Sequence, residues 1–182
     1  MDAGLLGPGL GCSEELTRLL QAVLSACRVP LVLDADGINA VAAHIDVLRG
    51  CACPVVLTPH DGEFLRLGGD PKAADRTQEA MRLADRTHAV LLLQGSRTVI
   101  TDGLNVYVNH TGNPGLAAGG SGDVLSGMVL SLLGQGMEPF AACCAAAFLH
   151  GRAGDLAARE LGERGMTPSD LLERIPRAFL SL

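Results

Sequence analysis

Asn113-Pro114-Gly115-Leu116-Ala117-Ala118-Gly119-Gly120-Ser121-Gly122-Asp123-Val124-Leu125-Ser126-Gly127 is the stretch on which the reading of the chain turns. Its glycines let backbone N–H groups converge on an anion without a Cβ in the way, and apolar residues from Asp123 to Leu133 read as the helix that follows. The first turn of such a helix adds unpaired N–H groups and the positive end of the helix dipole, so phosphate is the natural guest. Asp123 is out of place there, since a carboxylate beside a phosphate is repelled unless it has a task. It is either a general base taking a proton from an attacking hydroxyl or a charge that only stabilises the helix start. No Gly-Lys-Ser/Thr follows, so this is not a Walker A loop.

Outward from this loop the pattern is strand, loop, helix. Leu31-Val32-Leu33 ends in Asp34-Ala35-Asp36-Gly37, Val55-Val56-Leu57 in Thr58-Pro59-His60-Asp61-Gly62, and Ala89 to Leu93 in Gln94-Gly95-Ser96. Short, wholly apolar runs closed by polar residues or glycine are buried parallel strands with functional loops at their carboxyl ends. Helical segments separate them, as parallel crossovers require; residues 13 to 28, behind Ser13 as N-cap, are one. Asp102-Gly103 between Val99–Thr101 and Leu104–Val108 predicts a two-residue antiparallel hairpin. Further helices are predicted over Pro139 to Leu161 and, behind Thr167, Pro168 to Ile175. Ala3-Gly4-Leu5-Leu6 reads as the end of a buried central strand running into Gly7-Pro8-Gly9-Leu10-Gly11. So little chain precedes it that an amino-terminal part of the fold is expected to be missing.

The 182 residues form one expected domain, 1–182, with 48% hydrophobic and 19% charged residues, an ordinary globular balance. A formal net charge of −6 argues against nucleic-acid and anionic-membrane partners, which need a basic face, but not against a phosphorylated small molecule. The apolar stretch Phe140 to Leu149 is far short of the roughly 20 residues that cross a bilayer, and no basic segment precedes an apolar one at the start. A cytoplasmic protein is expected. The six cysteines show no CxxC pair and no regular spacing; Cys143 and Cys144 read as helix packing, as do Cys51 and Cys53 before a strand. No protein metal site is expected.

Asp34 and Asp36, just past a strand, either hold magnesium or water or cap the helix that begins near Ile38, with a structural role favoured for Asp34. Asn39 is a weaker candidate for the same cleft. His60 is a ligand-facing group or a merely exposed turn residue, and Glu63 a ligand-facing group or a solvated helix-start acid. His150 has no ligating partner one turn away, Ala146 and Gly154 being silent, so it reads as a core residue with one hydrogen bond.

The run Asn113 to Gly127 resembles the signature of the ADP- or ATP-dependent NAD(P)H-hydrate dehydratases, relatives of ribokinase and hydroxyethylthiazole kinase. Gly7 to Gly11, Leu33 to Asn39, Thr58 to Phe64, Gln94 to Thr98, Leu149-His150-Gly151 with Ala153-Gly154-Asp155, and Met166 to Leu172 are similar to that family's motifs in the family's order. The resemblance implies a three-layer α/β ribokinase-like fold, a mostly parallel sheet with an antiparallel hairpin and helices on both faces. It implies a lyase that repairs the S-epimer of hydrated NADH or NADPH: the hydrate hydroxyl is phosphorylated by ADP or ATP, with Mg2+, and phosphate is then lost. A homotetramer is implied as well.

Carried over residue by residue, the resemblance makes Asp123 the catalytic base, with Gly120 and Gly122 holding the transferring phosphoryl group. Gln94, Gly95, Ser96, Arg97, Thr98, Asn113, Gly119, Gly120, Ser121 and Gly122 would line the adenine nucleotide, and Gly9, His60, Asp61, Glu63, Arg66 and Asp123 would face the hydrated dinucleotide. Two departures stand out: Gln94 where the family carries lysine, and Ala118 where it carries threonine. Loss of that cation weakens nucleotide binding unless Arg97 points inward. The rivals are a small-molecule kinase of the same fold, of thiamin-precursor type, and a nucleotide-binding remnant without turnover. The Thr58 to Glu63 loop and Asn113-Pro114-Gly115 favour the dehydratase.

Overall fold

The computed structural model describes residues 2–181. Six short strands, β1 (Gly4–Leu6), β2 (Leu31–Leu33), β3 (Val55–Leu57), β4 (Val90–Leu93), β5 (Val99–Thr101) and β6 (Val106–Val108), form one sheet in chain order. The first four are parallel, with Leu5 opposite Val32 and Val32 opposite Val56, while β5 and β6 run antiparallel. The predicted parallel sheet with an antiparallel ribbon is what forms.

Alternation along each strand divides the core into two layers. Leu31, Leu33, Val55, Leu57, Leu91 and Leu93 face one side, where they meet α1 (Glu14–Ala26), α2 (Asp36–Ala42), α3 (Asp61–Arg66) and α4 (Arg76–Thr87). Val32, Val56, Leu92 and Ile100 face the other, against α5 (Ser121–Gly134), α6 (Pro139–Leu161) and α7 (Pro168–Phe179). Burial on both faces explains the continuous apolar runs. Each fully buried aliphatic side chain contributes about 1.5–3 kcal/mol, so the sheet is held from both sides. Along α6, Ala142, Cys143, Ala146, Ala153 and Ala157 are all but inaccessible, and their small size lets the helix lie close to its neighbours.

The loop after β1 depends on glycine. Gly7 has φ of 146°, and a Cβ there would stand 1.6 Å from the Asp34 carbonyl oxygen, so only glycine lets the β1 and β2 loops touch.

Several boundaries differ from the sequence reading. β1 is half-buried and at the edge of the described sheet rather than central. The hairpin loop is Asp102–Asn105, four residues rather than two, because the Asp102 carboxylate accepts from the Leu104 and Asn105 N–H groups and draws both out of the ladder. Helix α5 starts at Ser121, two residues early, since Gly120 at φ 94° turns the chain into it. Helix α7 runs through Pro176 to Phe179; the N–H that proline lacks would have served Leu172, on the exposed face. Helix α1 begins behind Ser13 as expected, the Ser13 side chain accepting from the Leu16 N–H.

Candidate active site

The loops after β1, β2, β3 and β4 and the start of α5 lie on one edge of the sheet, where an α/β fold keeps its ligands. At that edge Gly120 is the N-cap of α5 and Ser121, Gly122 and Asp123 form its first turn. The Ser121 N–H bonds back to the Ala118 carbonyl at 3.1 Å, but the N–H groups of Gly120, Gly122 and Asp123 meet no acceptor among the described residues. No side chain caps this helix. The result is a set of exposed donors at the positive end of a helix of 14 residues.

Asp123 is exposed, and its carboxylate makes no hydrogen bond or ion pair among the described residues. It makes no capping hydrogen bond, and its charge lies in the first turn, where the helix dipole favours it. One turn on, the buried Ser126 hydroxyl donates to the Asp123 carbonyl at 3.2 Å and also reaches the Asp34 carboxyl. Asp34 is 4% exposed. Burial pushes its carboxyl above the ordinary range, the Ser126 and Thr58 hydroxyls and the Ala35 N–H pull it back, and the nearby Asp123 charge pushes it up again. Asp34 is thus held by hydrogen bonds in the core beneath Asp123. Asp36 accepts from the Gly11 N–H at 2.7 Å and so ties down the loop that carries Gly9, which is exposed.

Gln94, at the end of β4, spans two loops. Its side chain donates to the Thr58 carbonyl at 2.7 Å and faces Gly122, where a Cβ would come within 3.5 Å of Oε1. Its own carbonyl accepts from Arg76 Nη2 at 2.7 Å. Arg97 and Ser96 are both exposed and make no side-chain hydrogen bond or ion pair among the described residues, while Thr98 donates to the Gly95 carbonyl at 3.1 Å. The cation beside this loop is Arg76, whose Nη2 would lie 3.1 Å from a Cβ at Gly95. Sequence reasoning missed Arg76, because an arginine in the first turn of a helix has no spacing that marks it.

His60 caps α3. Its Nδ1 accepts from the Gly62 N–H at 2.9 Å, which leaves Nε2–H to face Glu63 Oε1 at 3.3 Å, and its backbone N–H donates to Glu63 Oε2 at 3.0 Å. Glu63 is therefore not a solvated acid but 5% exposed, and burial raises its carboxyl above the usual range while the His60 N–H opposes that. Asp61 pairs with Arg76 at 2.6 Å, and Arg66 donates to the Asn39 side chain at 3.0 Å. Asn113 is turned inward: its Oδ1 accepts from the Gly115 N–H and its Nδ2 donates to Asp155. Asp155 also accepts from the Gly112 N–H, a positioning role the sequence did not reveal.

A groove of about 310 Å³ lined by Cys12, Ser13, Thr17 and Asn39 adjoins the Gly11–Asp36 contact. Another, of about 470 Å³ on α4 near Gly103, contains none of these residues. Among the described residues, no group of three or more His, Cys, Asp or Glu is arranged to hold a metal ion, and no helix is long and apolar enough to cross a membrane.

A mostly parallel sheet between two helical layers, with a glycine-led helix start at its carboxyl edge, defines a ribokinase-like α/β protein. Residues 1–177 match the family model described as NAD(P)H-hydrate dehydratase, and the chain belongs to that family. It is 46% identical over 187 aligned positions to the bifunctional NAD(P)H-hydrate repair enzyme Nnr of Moorella thermoacetica, covering 100% of this chain and 35% of that protein. Among solved structures, the Bacillus subtilis ADP/ATP-dependent NAD(P)H-hydrate dehydratase co-crystallised with ATP/Mg2+ is similar at a TM-score of 0.88 and 34% identity, over 98% of this chain and 64% of that one. A ribokinase-like superfamily protein from Enterococcus faecalis gives a TM-score of 0.82 at 28% identity, over 99% and 63%. The chain thus spans about a third of the length of the curated relatives it matches and somewhat under two thirds of these structures.

Proposed function

We propose that residues 1–182 act as one ribokinase-like unit that dehydrates the S-epimer of NADH or NADPH hydrate at the expense of ADP or ATP. One observation carries the reading: Asp123 presents an unpaired, exposed carboxylate from the first turn of a helix at whose start the Gly120, Gly122 and Asp123 N–H groups meet no acceptor among the described residues. This supports reading Asp123 as a base beside an anion cradle, which is a task for the repelled carboxylate. Asp123 takes the proton of the hydrate hydroxyl, whose oxygen then forms a bond to the terminal phosphorus as the bond to the departing AMP or ADP breaks. The Gly120, Gly122 and Asp123 N–H groups stabilise charge on the phosphoryl oxygens. The phosphorylated intermediate expels phosphate and loses a proton from the adjacent carbon, which restores the dihydronicotinamide ring.

The nucleotide lies along Gln94 to Thr98, Asn113 and Gly119 to Gly122 in this reading, and the hydrate faces Gly9, His60, Asp61, Glu63 and Arg66. Asn113 serves by shaping its loop, and Glu63 by orienting His60, as their hydrogen bonds support. Magnesium fits as a companion of the nucleotide phosphates rather than the guest of a protein cage, since no ligand cluster exists among the described residues. The protein acts in the cytoplasm in this reading, and family resemblance supports a homo-oligomer, a tetramer in particular. The test is to incubate the chain with hydrated NADH, ADP or ATP, and Mg2+ and to follow the absorbance of the reduced nicotinamide ring. Nucleotide-dependent recovery with release of phosphate is the expected result. A stable phosphorylated product without recovery would make the protein a kinase, and nucleotide binding with neither outcome a remnant.

A further inference from the structure

His150 sits mid-way along α6, 7% exposed, with no part in the chemistry above. Its Nε2 stands 3.1 Å from the Ser121 carbonyl oxygen and 3.2 Å from Ser121 Oγ. A carbonyl only accepts, so Nε2 must carry the proton and the neutral ring is the Nε2–H tautomer. Burial keeps it neutral, pushing its pKa down to about 4. Nε2–H is thus directed at both Ser121 oxygens, and Ser121 is itself 5% exposed, so the contact lies in the core beneath the helix start.

Ser121 is the first residue of α5, and two glycines precede it. Helix ends fray, and glycines impose little restraint, so a cradle built there needs an anchor. The same helix α6 steadies the opposite approach, where the Phe148 carbonyl accepts from Thr111 Oγ1 and Asp155 from the Gly112 N–H.

We propose that His150 is a positioning residue: by holding Ser121 from the core it fixes the first turn of α5, so that the Gly122 and Asp123 N–H groups meet the terminal phosphate of the nucleotide. The proposal rests on the nucleotide reading above. It requires preorganisation of the anion site alone, leaving the rest of the nucleotide strip unaffected.

Calorimetric titration of the wild-type chain, His150→Leu and His150→Gln with ADP and with AMP tests it, because AMP lacks the terminal phosphoryl group that the cradle holds. His150→Leu is expected to weaken ADP about tenfold, the loss of one hydrogen-bonded anchor, while AMP stays within about twofold. In His150→Gln the side-chain amide N–H still reaches the Ser121 carbonyl, and most of the ADP affinity returns. Unchanged ADP affinity in His150→Leu, or an equal loss for both nucleotides, overturns the proposal. If the leucine variant does not fold, His150→Asn replaces it: the shorter amide leaves Ser121 unanchored, so a selective ADP loss relative to His150→Gln supports the proposal and equal affinities overturn it. A wild-type chain that binds no ADP contradicts the nucleotide site itself, whereas ADP binding that survives loss of the anchor contradicts only the role of His150.

Discussion

Arg76 Nη1 lies 2.6 Å from Asp61 Oδ1, and Nη2 of the same guanidinium donates to the Gln94 carbonyl at 2.7 Å. One side chain on α4 thus joins the loop after β3, assigned to the hydrate, to the loop after β4, assigned to the nucleotide. Asp61 is 61% exposed, so the ion pair adds at most about 1 kcal/mol to stability. Arg76→Met is therefore expected to fold with a loss of that size and to raise KM for both hydrate and nucleotide several-fold. Urea denaturation alongside steady-state kinetics separates the two effects. A large stability loss with unchanged KM values would make Arg76 purely structural.

Gly122→Ala distinguishes the cradle from the helix that carries it. A Cβ at position 122 would meet the Gln94 side chain at 3.5–3.6 Å, an ordinary contact, and alanine favours a helix over glycine by about 1 kcal/mol. Stability is expected to hold or rise while ADP affinity falls, because the new methyl group stands where the backbone approaches phosphate. Thermal midpoint and ADP titration on the same sample check both.

Asp155→Ala removes the acceptor shared by the Gly112 N–H and Asn113 Nδ2. Leaving half-buried donors unpaired costs about 1–3 kcal/mol. The expected result is a loss of that size in denaturant unfolding, with weaker ADP binding as the approach to Gly119 loosens.

Acid stability depends on His150. Its folded pKa of about 4 lies below its ordinary 6.5, so between these values the unfolded chain binds the extra proton. Stability is therefore lost as pH falls through that window, by up to about 3 kcal/mol from this group. Asp34 and Glu63 act in the opposite sense: their raised carboxyls keep a proton in the folded state, so their contribution is lost as pH rises above the ordinary carboxyl range. Unfolding free energies of wild type and His150→Leu, measured across the window, should show a flatter acid limb in the variant by up to about one proton. Identical slopes would mean that His150 is not the buried neutral group.

The parallel strands were legible because every buried strand is an uninterrupted apolar run closed by polar residues, and the helix starts at Ser13, Pro139 and Pro168 carry their own signals. The hairpin loop was misread because Asp102-Gly103 resembles a tight turn, while the Asp102 carboxylate draws Leu104 and Asn105 out of the ladder. The glycine-led helix start was visible as glycine spacing, and Asp123 as a charge in its first turn. Arg76, the positioning role of Asp155 and the burial of Glu63 were not visible, since each depends on partners 15 to 43 residues away or on packing that no local pattern encodes.

Asp123→Asn is the most direct test of the account. The substitution keeps the helix start and loses only an exposed, unpaired carboxylate, so the variant should fold as the wild type does and bind ADP at least as tightly, with one negative charge fewer beside the phosphate. Recovery of reduced nicotinamide from the hydrate should fall by about 10²- to 10⁴-fold, the usual share of a general base. Recovery by Asp123→Asn at a rate close to that of an active wild-type chain would contradict the assignment of Asp123 as the base.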